Sequence, residues 1–295
     1  ALLRREVGLP LLGWFPPQLS EQFARQYAAS TGVRQLGPRP TGGSTVQLCR
    51  EAATYLKVEE LEAAAGRSGF LPGAERRVLT PLPAAAGLTL AVAWGPPLQT
   101  FALETIDALQ AAGLALAPLH VARDEALPSE ARGLLLAGLL DERQLEAFAA
   151  NRVLHQALAA AVADGLPVLA LGAAALLLLR RLADSRGRSH ELAGVVPAEA
   201  ELLECYERPR YHRARAARAN PFDEGAGTLA ELFDLEFLVL EQEAFAYELL
   251  GGAEPQGEGF VVGRCLATTM CPSLPARPQL TQRFVEAMRA AGSRP

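Results

Sequence analysis

Four cysteines and four histidines are the residues of this sequence that could support nucleophilic catalysis. A cysteine attacks as its thiolate, and an imidazole is the side chain best suited to take the thiol proton near neutral pH. No C-x-x-C pair occurs, no metal-ligand spacing is present, and the histidines lie in segments other than that of Cys271. The residues concerned are Cys49, Cys205, Cys265, Cys271, His120, His155, His190 and His212.

The stretch GLPVLALGAAALLLLRRLADSRG, residues 165–187, has the order apolar run, small-residue turn, apolar run. This order predicts a buried strand at 167–171, a turn, and a helix at 173–183. Many α/β enzymes hold a nucleophile at such a turn, where the amino terminus of the helix stabilises an anion. In this sequence the turn contains Gly172, which has no side chain that could attack a substrate.

Strand-like and helix-like runs alternate around this turn. Strands that are apolar throughout are typical of a parallel sheet with helices on both faces. Two later strand-like runs lack long helices between them, which predicts mixed or antiparallel pairing at the end of the sheet. The predicted strands are 88–93, 114–119, 133–138, 167–171, 232–240 and 259–269, and the predicted helices are 101–112, 141–163, 173–183 and 278–291.

Composition and charge predict a folded protein and argue against binding to nucleic acid or insertion into a membrane. The formal net charge is −5 and half of the residues are hydrophobic, which predicts a folded chain and argues against general binding to nucleic acid or to anionic membranes. The longest apolar stretch, 166–179, is interrupted by Pro167 and Gly172 and is shorter than the roughly 20 residues that a membrane helix needs. The cysteines form no disulfide framework, so we predict a cytoplasmic protein.

The chain is predicted to contain two units. Residues 66–87 contain four glycines and three prolines, which is the composition of a linker. We therefore place the boundary between residues 1–75 and residues 76–295.

Residues 87–287 resemble the glutamine amidotransferase domain of the cobyrinate a,c-diamide synthase family, whose members are class I glutaminases. The segment of that family around the catalytic cysteine reads like P-x-x-A-E-C-G-G-L-M-Y-L, and the corresponding stretch here is PVLALGAAALLL, residues 167–178. The resemblance places Gly172 at the nucleophile position. It also implies a three-layer, flavodoxin-like α/β domain with a mostly parallel sheet.

The histidine block of the family also has a counterpart in this chain. That block reads like G-N-x-x-A-S-Y-x-H-x-H-F, and residues 263–274 read GRCLATTMCPSL. The resemblance places Cys271 at the position of the base and Ser273 at the second histidine position. Neither side chain does the work of an imidazole near neutral pH. The resemblance therefore implies a domain that has lost glutaminase activity, although a role-swapped thiol at Cys271 is an alternative.

Other positions of the family pattern are retained in part. The oxyanion loop G-G-G-Y-P-E appears as AGLLDE, which keeps Gly138 and Glu142. Glu104 persists in the first block of the family, and Glu236 persists in LEFL, where H-E-F-H is the usual sequence. The resemblance thus implies that this sequence keeps family residues that pack or turn the chain, while the family's catalytic residues have been replaced.

The first 75 residues resemble the end of the ATP-binding, dethiobiotin synthetase-like half of the same synthases. The matching segments are LLRREVGLPLLGWFPP and VRQLGPRP. The family uses ATP and magnesium through a G-x-x-x-x-G-K-[ST] loop. This sequence has no such loop, and Lys57, its one lysine, lies outside any glycine-rich turn. We expect no cofactor or metal in this chain, and a partner that is either a missing ATPase half or another protein.

An arginine-rich segment is the remaining candidate site. Five arginines and one histidine fall within eleven residues, and we predict a loop here. The segment is either a solvated surface loop or a site for an anion or an acidic partner. Two further functions therefore stay open: a non-catalytic interaction or regulatory module, and a fragment of an ATP-dependent amide synthase that uses ammonia. The arginines are Arg208, Arg210, Arg213, Arg215 and Arg218.

Overall fold

The structure is a computed structural model, and it divides the chain into two compact units, residues 1–77 and residues 78–295. The origin of the first unit from an ATP-binding half stays a prediction. The residues that the structure describes are 11–14, 50–67, 79, 82, 85–95, 97–99, 103–202, 210–217, 220, 228–232, 237–239, 245–250 and 256–292.

The described part of the first unit contains one long helix, α1 (Val58–Arg67), none of whose residues is buried. A short extended segment pairs with the residues just before this helix. Gly13 forms an antiparallel bridge with Leu56, and the Lys57 N–H donates to the Leu12 carbonyl over 2.7 Å. Backbone pairing therefore holds these two pieces together.

The second unit alternates strands and helices up to its sixth strand and is mainly β-structure from there to its final helix. Two 3₁₀ segments, Glu142–Gln144 and Gly172–Leu178, interrupt the order. The helices are α2 (Leu103–Ala111), α3 (Leu145–Ala150), α4 (Arg152–Ala163) and α5 (Pro278–Gly292). The strands are β1 (Thr89–Trp94), β2 (Leu98–Gln99), β3 (Ala115–His120), β4 (Ala131–Ala137), β5 (Leu139–Leu140), β6 (Val168–Leu171), β7 (Leu179–Ala183), β8 (Ser189–Glu191), β9 (Val196–Leu202), β10 (Arg210–Ala216), β11 (Thr228–Leu232), β12 (Phe237–Val239), β13 (Tyr247–Leu250), β14 (Gln256–Glu258), β15 (Phe260–Val262) and β16 (Cys265–Thr268).

A six-stranded sheet forms the centre of this unit, with the order β15-β16-β6-β4-β1-β3. All neighbouring strands are parallel except β15, which pairs antiparallel with β16. The inner strands β1, β4, β6 and β16 are buried on both faces along most of their length, and successive side chains of β4 point into two separate cores. Leu134 and Leu136 pack in one core with Phe148 of α3, whereas Leu135 packs in the other with Phe284 of α5. The predicted α/β fold with a mostly parallel sheet and an antiparallel edge is confirmed.

Smaller sheets complete the unit. Their strand orders are β12-β9-β7-β8, β11-β10-β13-β14 and β2-β5. Strand β9 shows the period-two burial of a sheet with one solvated face, since Val196, Ala198, Ala200 and Leu202 are buried. Within the described ranges, every helix is too short or too polar to span a bilayer.

The prediction of a helix at 173–183 is wrong for residues 179–183. The chain forms the 3₁₀ helix Gly172–Leu178, in which every residue is buried, and then enters strand β7. On β7, Leu179 and Leu182 are buried while Arg180 and Arg181 are exposed. This strand pairs with β8 on one side and β9 on the other. Tertiary strand pairing therefore overrides the helical propensity of the leucine run.

Candidate functional site

The turn after β6 is a strand-to-helix elbow with a left-handed backbone. Gly172 has a φ of +68°, a conformation that favours glycine over other residues. The Gly172 N–H donates to the Met270 carbonyl over 3.3 Å, and the Ala174 N–H donates to the Gly138 carbonyl over 3.2 Å. The elbow is thus held between the carboxyl ends of β4 and β16. In open α/β sheets, ligands bind at this edge.

Three of the residues singled out in the sequence meet at this elbow. A Cβ atom on Gly172 would lie 2.8 Å from the Sγ of Cys271 and 3.1 Å from the carbonyl oxygen of Gly138. Cys271 is half-buried. The sulfur of Cys271 therefore occupies the space next to the elbow into which a side chain at residue 172 would project.

The carbonyl oxygen of Gly138 points toward the elbow. Gly138 follows β4 with a φ of +127°, and its carbonyl is already the acceptor for the Ala174 N–H. An oxyanion hole needs N–H donors directed at the atom that becomes negative. A carbonyl oxygen at this place would repel such an atom, because its dipole has the opposite sense.

Glu142 connects the loop after β4 to the hairpin between β7 and β8. Its Oε2 accepts hydrogen bonds from the Ser185 N–H over 3.2 Å and from the Ser185 hydroxyl over 2.6 Å. These contacts tie two chain segments together at a half-buried position. In the structure, Glu142 therefore links the loop after β4 to the β7–β8 hairpin.

Asp184 organises this hairpin from a buried position. Its carboxylate accepts hydrogen bonds from the N–H groups of Arg186 and Arg188, from Nε of Arg188 and from Nε2 of His190. Burial pushes the pKa of Asp184 upward, but the hydrogen bonds from Arg188, His190 and Arg186 outweigh it, so the pKa lies below its ordinary value. Asp184 is therefore a buried carboxylate that stays ionised.

The histidines with described side chains all make contacts away from the elbow. His155 Nε2 lies 2.9 Å from the Phe148 carbonyl, and burial lowers the pKa of His155, so that its ring stays neutral. His190 lies beside Asp184, at 3.3 Å. The ring of His120 covers Gly95, because a Cβ on Gly95 would lie 2.5 Å from its Nε2. In this described set, each imidazole is engaged elsewhere than at Cys271.

Glu258 is a buried acid near the elbow that the sequence analysis missed. Its Oε1 accepts hydrogen bonds from the N–H and hydroxyl of Thr269 over 2.7 and 2.9 Å, and its Oε2 lies 2.6 Å from the Thr268 hydroxyl. Burial raises the pKa of Glu258, and the hydrogen bonds from Thr268, Thr269 and Met270 only partly offset this. The signal in the sequence was one acid between two glycines before an apolar run.

Replacement of Glu258 by glutamine is expected to remove one source of pH dependence in stability. Because the folded pKa is raised, stability is fully present below the ordinary value of 4.5 and is lost as pH rises through the folded pKa. The natural chain should lose up to about 1.4 kcal/mol of unfolding free energy per pH unit in this window, relative to Glu258→Gln. Urea unfolding of both proteins from about pH 4.5 upward measures the difference. Parallel stability curves would contradict the assignment.

Glu104 and Glu236 are the other two family positions that the sequence retains. Glu104 lies on α2 with an exposed side chain. Glu236 lies outside the described residues. Cys265, by contrast, is fully buried on β16, and burial raises the pKa of its thiol to about 12, which makes it inert as a nucleophile.

The prediction of a loop for the arginine-rich segment is wrong for residues 210–216, which form β10. The strand alternates Ala214, which is fully buried, with Arg213 and Arg215, which are exposed. The Nη2 of Arg215 lies 2.6 Å from Oε2 of Glu248 on the neighbouring β13. Alternation and cross-strand pairing favour a strand here. Arg208 and Arg218 lie outside the described residues, and the role of this segment in binding stays a prediction.

The likeness to known proteins agrees with the geometry of this unit. Residues 89–222 match the model of the CobB/CobQ-like glutamine amidotransferase domain. This segment is therefore similar in sequence to that domain family. It includes Gly138 and Gly172, whereas Cys271 and Glu258 follow it in the same compact unit.

Curated relatives of the amidotransferase domain are cobyrinate a,c-diamide synthases. The protein from Dehalococcoides mccartyi (strain CBDB1) is 25% identical over 265 residues, covering 85% of this chain and 57% of the relative. The protein from Salmonella typhimurium (strain LT2) is 31% identical over 212 residues, covering 70% of this chain and 44% of the relative. The chain thus spans about half the length of the curated relatives it matches.

A solved structure of a glutamine amidotransferase shares the fold. Its TM-score with this chain is 0.51 at 17% sequence identity, and the match covers 68% of this chain and 98% of the solved one. The predicted class I amidotransferase-like architecture of the domain is confirmed.

Proposed function

We propose that this chain is a cobyrinate a,c-diamide synthase-like protein whose amidotransferase domain does not hydrolyse glutamine. The observation that carries the proposal is the pairing at the elbow: Gly172 offers no nucleophile, and the sulfur of Cys271 lies in the place of one. In this proposal the domain keeps the fold of a glutaminase for binding, scaffolding or regulation.

The Gly138 carbonyl supports this proposal. Its oxygen faces the elbow, where turnover of an amide would build up negative charge. This arrangement works against a role-swapped reaction at Cys271.

We propose that the described residues of this chain do not themselves bind the ATP and magnesium that the synthase family uses. Lys57 is exposed, and its Nζ forms an ion pair with Glu60 over 2.9 Å, instead of facing a cradle of backbone N–H groups. The described residues contain no cluster of three His, Cys, Asp or Glu side chains that could hold a metal. We therefore assign ATP binding to a partner or to a separate domain.

Incubation of the purified chain with glutamine tests the proposal. We expect glutamate to form at the rate of a protein-free control, with no change in the Cys271→Ala variant or after alkylation with iodoacetamide. Coupled glutamate dehydrogenase provides the readout. Turnover by the natural chain that alkylation or Cys271→Ala abolishes would overturn the proposal and assign the reaction to the displaced thiol.

A further inference from the structure

A continuous series of hydrogen bonds runs from the buried Glu258 to the elbow. The Glu258 carboxyl group contacts the Thr268 hydroxyl and both the N–H and hydroxyl of Thr269. The Thr268 hydroxyl accepts the Met270 N–H over 3.1 Å, and the Met270 carbonyl accepts the Gly172 N–H over 3.3 Å. Each residue in this series is buried.

The series fixes the chain at the point where β16 ends. Strand pairing with β6 holds β16 only as far as Thr268. Thr269 and Met270 lie beyond the ladder, and Cys271 follows directly. Beyond Thr268, the hydrogen bonds of Glu258, on β14, therefore act together with the Gly172–Met270 hydrogen bond in holding this segment beside Gly172.

We propose that Glu258 is a positioning residue, whose hydrogen bonds to Thr268 and Thr269 hold the segment after β16 so that the Cys271 sulfur lies over Gly172. This role concerns the geometry of the elbow and is independent of whether the domain hydrolyses glutamine. Loss of these hydrogen bonds lets the segment sample other conformations, and the fraction with sulfur in place falls.

The formation of a disulfide between residues 172 and 271 reports how close the Cys271 sulfur lies to residue 172. In a disulfide, the Cβ of one cysteine lies about 3 Å from the Sγ of the other, as follows from an S–S bond of about 2.05 Å. The Cβ position at Gly172 is 2.8 Å from the Cys271 sulfur. The full chain with Gly172→Cys, and with Cys49 and Cys205 replaced by serine, should therefore form this disulfide in a glutathione redox buffer.

Two substitutions of equal length then separate hydrogen bonding from packing. Glu258→Gln keeps a hydrogen-bonding group in the same volume, whereas Glu258→Met fills that volume without one. We expect disulfide formation to slow by about tenfold or more with Glu258→Met and to stay within about threefold of the parent with Glu258→Gln. Met288→Ala, in the core beside Gly133 at the opposite end of β4, controls for general loss of stability and should stay near the parent rate.

Mass spectrometry of the disulfide-linked peptides that contain residues 172 and 271 measures the rate of disulfide formation in each variant. Equal rates in the parent and Glu258→Met would overturn the proposal, and so would equal slowing in Glu258→Gln and Glu258→Met or slowing by Met288→Ala. If Glu258→Met does not fold, Thr269→Val removes one of the same hydrogen bonds and should slow the disulfide in the same direction. No step of this test measures glutamine, so its failure is distinct from failure of the proposed function.

Discussion

The double variant Gly172→Cys/Cys271→His should hydrolyse glutamine, which we expect the natural chain not to do. The variant places a thiol on the left-handed elbow and an imidazole at residue 271, whose present sulfur lies 2.8 Å from the position that a Cβ atom on residue 172 would take. General-base assistance of this kind contributes about 10²–10⁴-fold. We therefore expect glutamate release at least about 100-fold above either single variant. The Gly138 carbonyl limits the rate, since it faces the developing charge.

Two controls test whether the gain of activity depends on the thiol at residue 172. Gly172→Ser/Cys271→His has the same shape with a poorer nucleophile and should show no gain, and iodoacetamide should abolish the activity of the thiol variant. The left-handed backbone at residue 172 costs a cysteine on the order of 1–3 kcal/mol, so folding is checked by circular dichroism. A folded double variant with the activity of the single variants would show that the elbow and residue 271 no longer align.

Replacement of Asp184 by alanine is expected to be the most destabilising polar substitution in the described structure. The carboxylate is fully buried and receives hydrogen bonds from Arg186, Arg188 and His190. Removing it leaves the N–H groups of Arg186 and Arg188, Nε of Arg188 and the buried His190 ring without this acceptor, at a cost of about 1–3 kcal/mol. For a unit of this size, that lowers the melting temperature by roughly 2–12 °C.

Glu146 provides a matched control because it contacts the same arginine from the surface. The Glu146 carboxylate pairs with Nη1 of Arg188, and its side chain is 63% exposed. Exposed ion pairs contribute about 0–1 kcal/mol, so Glu146→Ala should leave the melting temperature nearly unchanged. Thermal unfolding of both variants beside the natural chain makes the comparison. Equal losses in the two variants would show that burial of Asp184 does not decide its contribution.

Two of the sequence predictions illustrate where local patterns succeed and where they fail. The apolar runs at 133–138 and 167–171 predict buried strands of a parallel sheet, and the structure pairs β4 with β6 in parallel. The leucine run after Gly172 was predicted as a helix, because strand and helix propensities cannot be separated in a short buried segment. The last residues of this run form β7, because they pair with β8 and β9, which lie later in the chain and cannot be read from the local pattern.

The sequence by itself determined that the chain has a glycine after a buried apolar run and apolar strands able to form a parallel sheet. These properties follow from residue identity and periodicity, which are local, whereas the base position of Cys271 is what the resemblance to the synthase family implies. Only the tertiary structure decided that the Cys271 sulfur lies against Gly172, that Gly138 turns its oxygen toward Gly172, and that Glu258 reaches this segment through two threonines. Such contacts join residues far apart in the chain, and strand register sets their distances.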